Sequence, residues 1–396
     1  MKEKLNKEFF KKCFQYIKRN FFCITFIVSI FFFSIYILVT EDKKVSTIEN
    51  KVLTQKPILS IENIFNKSYM NNMEKYLSDQ FYKREHLIGE ANTYKKEILL
   101  SKYVNNVYFG EDGYLFVRDT KKDFEQELIK TNVNSLSSFL SYCDKKNIKT
   151  NVLLVPSSYE MLDTKVNRRD KFFFYKNAFD KNEVFKLLEI NNGLDVNLVE
   201  KVLIEEKENY IYYKTDHHWT TYGAYCLYKA KVNPNIGNYE NEVKEISRSF
   251  IGTTANKVNI YHNYDTMYAP IIKQEENIEV IYDMSGKIDT LYKEKYLNEN
   301  DKYSYFLDGN HGFVEIKNKN NNVIYDKKVL VIKDSFANCF IPFMVNDYKQ
   351  IDVIDLRYFN APLSNFMKMQ TYDEVYVIYN KTNFLKDKNI FKMEMK

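Results

Sequence analysis

The sequence predicts an α/β fold built on a parallel sheet and carried behind one membrane-spanning helix. Three observations point that way. Apolar, β-branched runs at 148–155, 327–333, 350–355 and 373–379 have the length and continuity of strands buried on both faces. Helical stretches separate them, the alternation expected of a parallel sheet with right-handed crossovers. Phe21 to Thr40 is a stretch of 20 residues without a charge, long enough to cross a bilayer as a helix.

The first 20 residues carry seven Lys/Arg and two Glu, a net +5, which is the whole formal charge of the 396-residue chain. This cluster, Lys2 to Arg19, predicts a cytoplasmic N-terminus with the rest outside the cell. No small-residue cleavage pattern follows the apolar run, so it reads as an uncleaved anchor in the cell membrane. The neutral remainder gives no overall basic surface for nucleic acid. Cys13 and Cys23 lie in or beside the anchor. Cys143, Cys226 and Cys339 are odd in number and widely spaced, which predicts buried thiols rather than a disulfide framework or a zinc site.

Residues 1–40 are therefore tail and anchor, and 41–121 a stalk, helical lead-in and hairpin. Two helices are expected over 61–101, broken near Tyr82 to Arg84, and a hairpin turns at Gly110–Gly113. Residues 122–231 form the first half of the α/β domain. It holds an amphipathic helix over Lys122–Asp144, the strand to Val155, and short helices at Asn182–Leu188 and Asn197–Glu206. A strand over Tyr210–Lys214 and a helix from Thr221 complete it. Ser157 and Ser158 read as loop and capping serines. Residues 232–325 read as a β-rich insertion of two or three hairpins, and 326–396 complete the domain.

Two stretches carry chemistry. The first is Tyr212-Tyr213-Lys214-Thr215-Asp216-His217-His218-Trp219, with two of the five histidines and the only tryptophan. On an extended backbone Asp216 and His218 share one side, so the carboxylate fixes the imidazole tautomer and leaves the other ring nitrogen as a base. The second is Lys327-Lys328-Val329-Leu330-Val331-Ile332-Lys333-Asp334-Ser335, a buried strand that breaks into a polar step carrying one serine. Helical spacing resumes after it, up to Pro342. Ser335 on such a strand-to-helix turn is the candidate nucleophile, in the manner of a nucleophile elbow but without Gly-x-Ser-x-Gly.

Asp216-His217-His218-Trp219 resembles the signature of the DHHW family, itself similar to the SGNH-hydrolase-like O-acetyltransferases that modify bacterial exopolysaccharides such as alginate. The likeness extends to Met73–Phe81 with Arg84, Gly110–Phe116 and Val152–Pro156. It implies a three-layer SGNH-like fold, circularly permuted because the Asp216/His218 half precedes Ser335. It also implies acyl transfer through Ser335, His218 and Asp216, to a polysaccharide acceptor, without cofactor or metal. A membrane-bound O-acyltransferase is the implied acetyl source. Asn380 matches the position of the family's block-three asparagine, though not its Gly-x-Asn-Asp context. With Arg357 it is a candidate for oxyanion or substrate binding.

Asn310 and His311, in the turn Asp308–Gly312, are further candidates to reach the site. His217 and Trp219 are expected to pack behind the catalytic face. Lys333 stands where a glycine commonly precedes Asp-Ser, and this keeps a non-catalytic glycan-binding or assembly protein as the alternative. Water as acceptor would make the same site an acetyl esterase. Asp-His-His also occurs in metal phosphoesterases, but only His86, His262 and His311 remain as further imidazoles.

Overall fold

The computed structural model describes residues 15–16, 18–46, 51–176, 179–192, 194–261 and 263–395. Most of the basic cluster before the anchor lies outside the described residues, as do Cys13 and His262. The chain divides into two compact units, Met1–Tyr94 and Lys95–Lys396.

In the first unit, α1 (Phe21–Val39) has a mean hydropathy of 2.6 and no buried residue, and is long and apolar enough to cross a membrane. Its apolar side chains run all round, as a lipid-facing helix requires. A short antiparallel pair follows, β1 (Val45–Ser46) with β2 (Lys51–Val52). The Asp79 carboxylate accepts from the Thr54 amide and hydroxyl and from Lys51 Nζ at 2.8–2.9 Å, tying that pair to α3. Three helices, α2 (Ile61–Phe65), α3 (Ser68–Asp79) and α4 (Arg84–Glu97), replace the two expected, with the break before Arg84 as predicted.

The second unit opens on a small sheet of β3 (Tyr103–Val104), β4 (Val107–Phe109) and β5 (Leu115–Val117). Asn105 and Asn106 both take positive φ in its first turn, a conformation asparagine tolerates better than most residues. Tyr108 and Phe116 are fully buried, so these aromatic side chains serve packing.

Behind it lies a seven-stranded sheet. Its order is β10 (Ile288–Asp289), β9 (Ile278–Tyr282), β11 (Phe313–Asn318), β13 (Tyr348–Ile354), β12 (Tyr325–Lys333), β14 (Glu374–Asn380) and β6 (Lys149–Val155). The strands β13, β12, β14 and β6 are parallel, while β11, β9 and β10 pair antiparallel. The region expected as a separate insertion therefore supplies three strands to the main sheet. Its other pair, β7 (Val243–Phe250) with β8 (Asp265–Pro270), stands apart.

Alternation along each strand splits the core. Val329 and Val331 enter one cluster, with Val199 and Leu203 of α7 (Leu198–Glu205) and Leu227 and Tyr228 of α8 (Thr221–Lys231). Leu330 and Ile332 enter the other, with Leu136 and Phe139 of α5 (Gln126–Lys145) and Phe185 of α6 (Lys181–Asn192). Helices thus cover both faces, which is why the parallel strands read as unbroken apolar runs. The serine step leads into α9 (Ile341–Val345), where Pro342 sits in the first turn, and α10 (Leu363–Met369) and α11 (Lys381–Lys386) follow the last two strands.

The expected strand at Tyr210–Lys214 does not form. That segment makes one isolated bridge, Tyr212 with Trp219, and closes a tight polar loop. Asp265 explains the loop: its carboxylate takes the Lys214 and Thr215 amides at 2.9 and 2.8 Å, spending donors a ladder would need.

Candidate active site

Ser335 sits two residues past the carboxyl end of β12, at the head of a 3₁₀ turn over Ser335–Cys339. Asp334 caps that turn. Its Oδ1 accepts from the Phe336 amide at 2.9 Å, and its Oδ2 accepts from the Asn380 amide at 3.0 Å and Asn383 Nδ2 at 2.8 Å. Burial pushes the Asp334 carboxyl up, against the pull of those hydrogen bonds.

The loop at 212–219 brings the histidine to this turn. His218 Nε2 lies 2.8 Å from Ser335 Oγ, and His218 Nδ1 lies 2.5 Å from Asp216 Oδ1. Asp216 is buried and saturated: Oδ1 also accepts from the His218 amide at 2.9 Å, while Oδ2 accepts from the Thr253 amide at 2.7 Å and hydroxyl at 2.9 Å. Burial alone would raise this carboxyl; the two imidazoles and their hydrogen bonds outweigh it and hold it well below the ordinary range. A carboxylate at Nδ1 assigns the proton to that nitrogen, so Nε2 is the free base facing the serine. Burial lowers the His218 imidazole to about 4, with His217 adding to the effect and Asp216 opposing it.

Four residues of the site carried no readable signal in the sequence. Thr253 and Gly252 lie after β7, and Gly252 is fixed by crowding: a Cβ there would come 2.2 Å from the Asp216 Cβ. Asp265 holds the loop from behind. Tyr303 stacks on the His218 ring, with centroids 4.0 Å apart and planes 11° from parallel, and its hydroxyl donates to the Ser335 carbonyl at 3.2 Å.

The remaining candidates are dispersed. Trp219 is fully buried, with Nε1 donating to the Phe336 carbonyl at 2.7 Å. His217 does not pack behind the site. Its side chain is 40% exposed, and Nδ1 meets Thr253 Oγ1 at 2.8 Å. Because that hydroxyl gives its proton to Asp216, the His217 nitrogen is the donor there.

Asn380 is engaged as a helix cap: Oδ1 accepts from the Thr382 and Asn383 amides, and Nδ2 donates to the Val155 carbonyl at 3.1 Å. Its side chain therefore serves as a cap and a strand tie, with one amide N–H committed to Val155. Asn310 Oδ1 accepts from Lys333 Nζ at 2.8 Å, so it holds the lysine rather than facing the serine. His311 Nδ1 pairs with Asp283 Oδ2 at 2.5 Å, away from the triad.

Lys333 is buried, its ammonium shared among Asn310, Asn338 and Asp355. Burial lowers its pKa. Asp355 in turn takes Arg357 through Nε at 2.9 Å and Nη2 at 2.6 Å, so Arg357 is held in a fork and its Nη1 has no protein partner among the described residues. The guanidinium is close enough to His218 and Asp334 for its charge to act on both.

Asp216, His217 and His218 also offer three potential metal ligand atoms within 4.8 Å of one another. All three residues are already engaged, with one another, with Thr253 and with Ser335, and no fourth His, Cys or carboxylate joins them among the described residues. That donor set suits an acid–base relay better than an open metal site.

A family model for DHHW proteins matches residues 166–354, the span that holds Asp216, His218 and Ser335. This span resembles the DHHW family. The DHHW match agrees with solved structures. A DHHW family protein from Eubacterium siraeum is similar at 20% identity and TM-score 0.53, over 74% of this chain and 96% of that one. Bacillus cereus PatB1, solved with a sulfonyl adduct, is similar at 18% identity and TM-score 0.55, over 73% of this chain and all of that one. The O-acetyltransferase domain of Pseudomonas putida AlgJ aligns at 10% identity and TM-score 0.42, over 71% and 93%. No curated protein sequence matches the chain.

Proposed function

We propose that this DHHW protein is a membrane-anchored acyl transfer enzyme, an O-acetyltransferase that works outside the cytoplasm on a cell-surface or secreted polysaccharide. The observation that carries the reading is the continuous relay from Asp216 through His218 to Ser335, at 2.5 and 2.8 Å. The helix α1 supplies the anchor, and the basic residues before it favour a cytoplasmic N-terminus. The chain order, acid and histidine before serine, reads as a permuted SGNH arrangement.

In the first half-reaction His218 Nε2 takes the Ser335 proton as Oγ attacks the carbonyl carbon of an acetyl donor. The tetrahedral oxyanion needs donors already in place. The Ser335 amide, at the head of its turn, has no intrahelical partner and is one candidate. Arg357 Nη1, steered by the Asp355 fork, is the other. On collapse, the bond to the donor oxygen breaks and Nε2 returns its proton to that leaving group. Acetyl-Ser335 remains. In the second half, Nε2 deprotonates a sugar hydroxyl, whose oxygen attacks the acetyl carbon; Ser335 Oγ leaves and regains the proton. Water in place of the sugar gives an esterase from the same atoms.

Turnover of a chromogenic acetyl ester tests the reading. Ser335→Ala and His218→Ala should each remove it. Full activity in Ser335→Ala would discard the assignment, and no turnover by the wild-type chain would favour the non-catalytic alternative. A membrane-bound O-acyltransferase remains the proposed source of acetyl groups.

A further inference from the structure

A cavity of about 530 Å³ opens beside the loop that carries Asp216, lined by Tyr210, Tyr213, Tyr222, Tyr239, Tyr268 and Glu240 among others. This is the size of a small-ligand site. Five tyrosines line one cavity, and their rings pack edge to face: Tyr222 with Tyr239 at 5.0 Å and 88°, Tyr239 with Tyr268 at 6.1 Å and 61°. Two hydroxyls are spent on the protein, Tyr210 on Asp265 and Tyr222 on Glu206 at 2.9 Å.

The others are unspent. Tyr213 is 1% exposed, and its buried hydroxyl makes no hydrogen bond of good geometry; the neighbouring Thr221 hydroxyl, which donates to the Tyr268 carbonyl, is its one nearby acceptor. A buried unpaired hydroxyl is unfavourable unless something else satisfies it. The hydroxyls of Tyr239 and Tyr268 and the exposed carboxylate of Glu240 make no hydrogen bond to the described residues.

We propose that this cavity is a saccharide-binding site, distinct from the triad, that takes a neutral pyranose unit of the acceptor polymer. A pyranose ring has an apolar C–H face that lies on aromatic rings and a rim of hydroxyls that donate and accept. The cavity offers both: tyrosine faces, and unpaired hydroxyls with a carboxylate acceptor. Its charge selects against acidic sugars. Glu240 stands in the lining, Glu206 and Asp265 stand behind it, and no lysine or arginine lines it.

The cavity also abuts the catalytic loop. The Tyr213 amide donates to the His218 carbonyl at 3.3 Å, and the Tyr213 ring lies 6.5 Å from Tyr303, which stacks on His218. The buried rings of Tyr213 and Tyr303 thus stand between the cavity and His218. The polymer's identity as acceptor rests on the acyl-transfer reading; the site itself does not.

Calorimetric titration of the full chain in detergent tests the site, with chitotetraose and cellotetraose as neutral probes and tetragalacturonate as the acidic one. At least one neutral probe should bind saturably, and the acidic probe should not. Tyr239→Ala should weaken binding at least tenfold and Tyr268→Phe, which keeps the ring, several-fold, while Ser335→Ala leaves the Kd unchanged. No neutral binding by a cooperatively melting wild type would overturn the site, as would equal affinity for the acidic probe. So would neutral binding that survives Tyr268→Phe and Glu240→Gln together. Ester turnover without neutral binding would refute the cavity and spare the triad; neutral binding weakened by Tyr268→Phe, without turnover, would do the reverse.

Discussion

The ring of Tyr303 lies flat against the imidazole of His218, and its hydroxyl reaches the carbonyl of Ser335, so one buried side chain touches both partners of the proposed proton transfer. Removing it should loosen both. Tyr303→Ala should cost about 3–5 kcal/mol of stability, as other large-to-small core changes do. Tyr303→Phe keeps the stack and loses one hydrogen bond, about 1 kcal/mol. Thermal melts and ester turnover of the two variants check this: turnover should fall far more in Tyr303→Ala than in Tyr303→Phe.

Gly252 matters for space, not for backbone freedom, since its φ is −89°. A methyl group there would meet the Asp216 side chain at 2.2 and 2.5 Å. The carboxylate must then move, and a displacement of about 1 Å in a catalytic group costs on the order of a hundredfold in rate. Gly252→Ala should lower kcat by about that factor. Steady-state kinetics with wild-type rates in the variant would show that Asp216 is not held as described.

The pH dependence has a definite sign. His218 is the base only when neutral, and burial lowers its folded pKa to about 4 from an ordinary 6.5. A pH profile of kcat/KM should therefore stay level through pH 6.5 and fall only as pH drops through about 4. Stability falls in the same direction, but it begins to fall at a higher pH. The unfolded chain takes the proton first, so the His218 contribution is intact above 6.5 and is lost as pH falls toward 4. Denaturant titrations across that window read the loss directly.

These relationships mark what the sequence could carry. The serine step was legible because β12 is buried on both faces, so its apolar run has to break where the chain leaves the sheet. The Asp216–His218 pairing was legible from spacing, although the loop around it was misread as a strand: Tyr212 and Tyr213 are buried aromatics in a non-strand segment, and only Asp265, some fifty residues later, shows why. Thr253, Gly252 and Tyr303 are ordinary residues locally. Their roles come from tertiary placement. The three strands between 278 and 318 read as hairpins because antiparallel edge strands alternate like any exposed sheet. Asn380 was placed correctly at the end of a strand, but a cap and an oxyanion donor look alike in one dimension.

Lys333, which departs from the glycine common before Asp-Ser, is accommodated by charge balance. Asp355 is buried and serves both Lys333 and Arg357; burial would raise its carboxyl, and those cations hold it down. Asp355→Ala should destabilise the fold by about 3–5 kcal/mol, since it leaves a buried ammonium uncompensated. Lys333→Met should cost less, because Arg357 still pairs Asp355. Chemical denaturation of the two variants distinguishes them, and equal losses would contradict this account of the cluster.

The central claim is covalent: an acetyl group resides on Ser335 between donor and acceptor. Acid-quenching the full chain during turnover of an acetyl ester, followed by peptide mass spectrometry, tests it most directly. One added acetyl is expected on the peptide holding Ser335, on that hydroxyl, and none in Ser335→Ala. Turnover that proceeds with Ser335 unmodified at every quench time, and persists in Ser335→Ala, would contradict it.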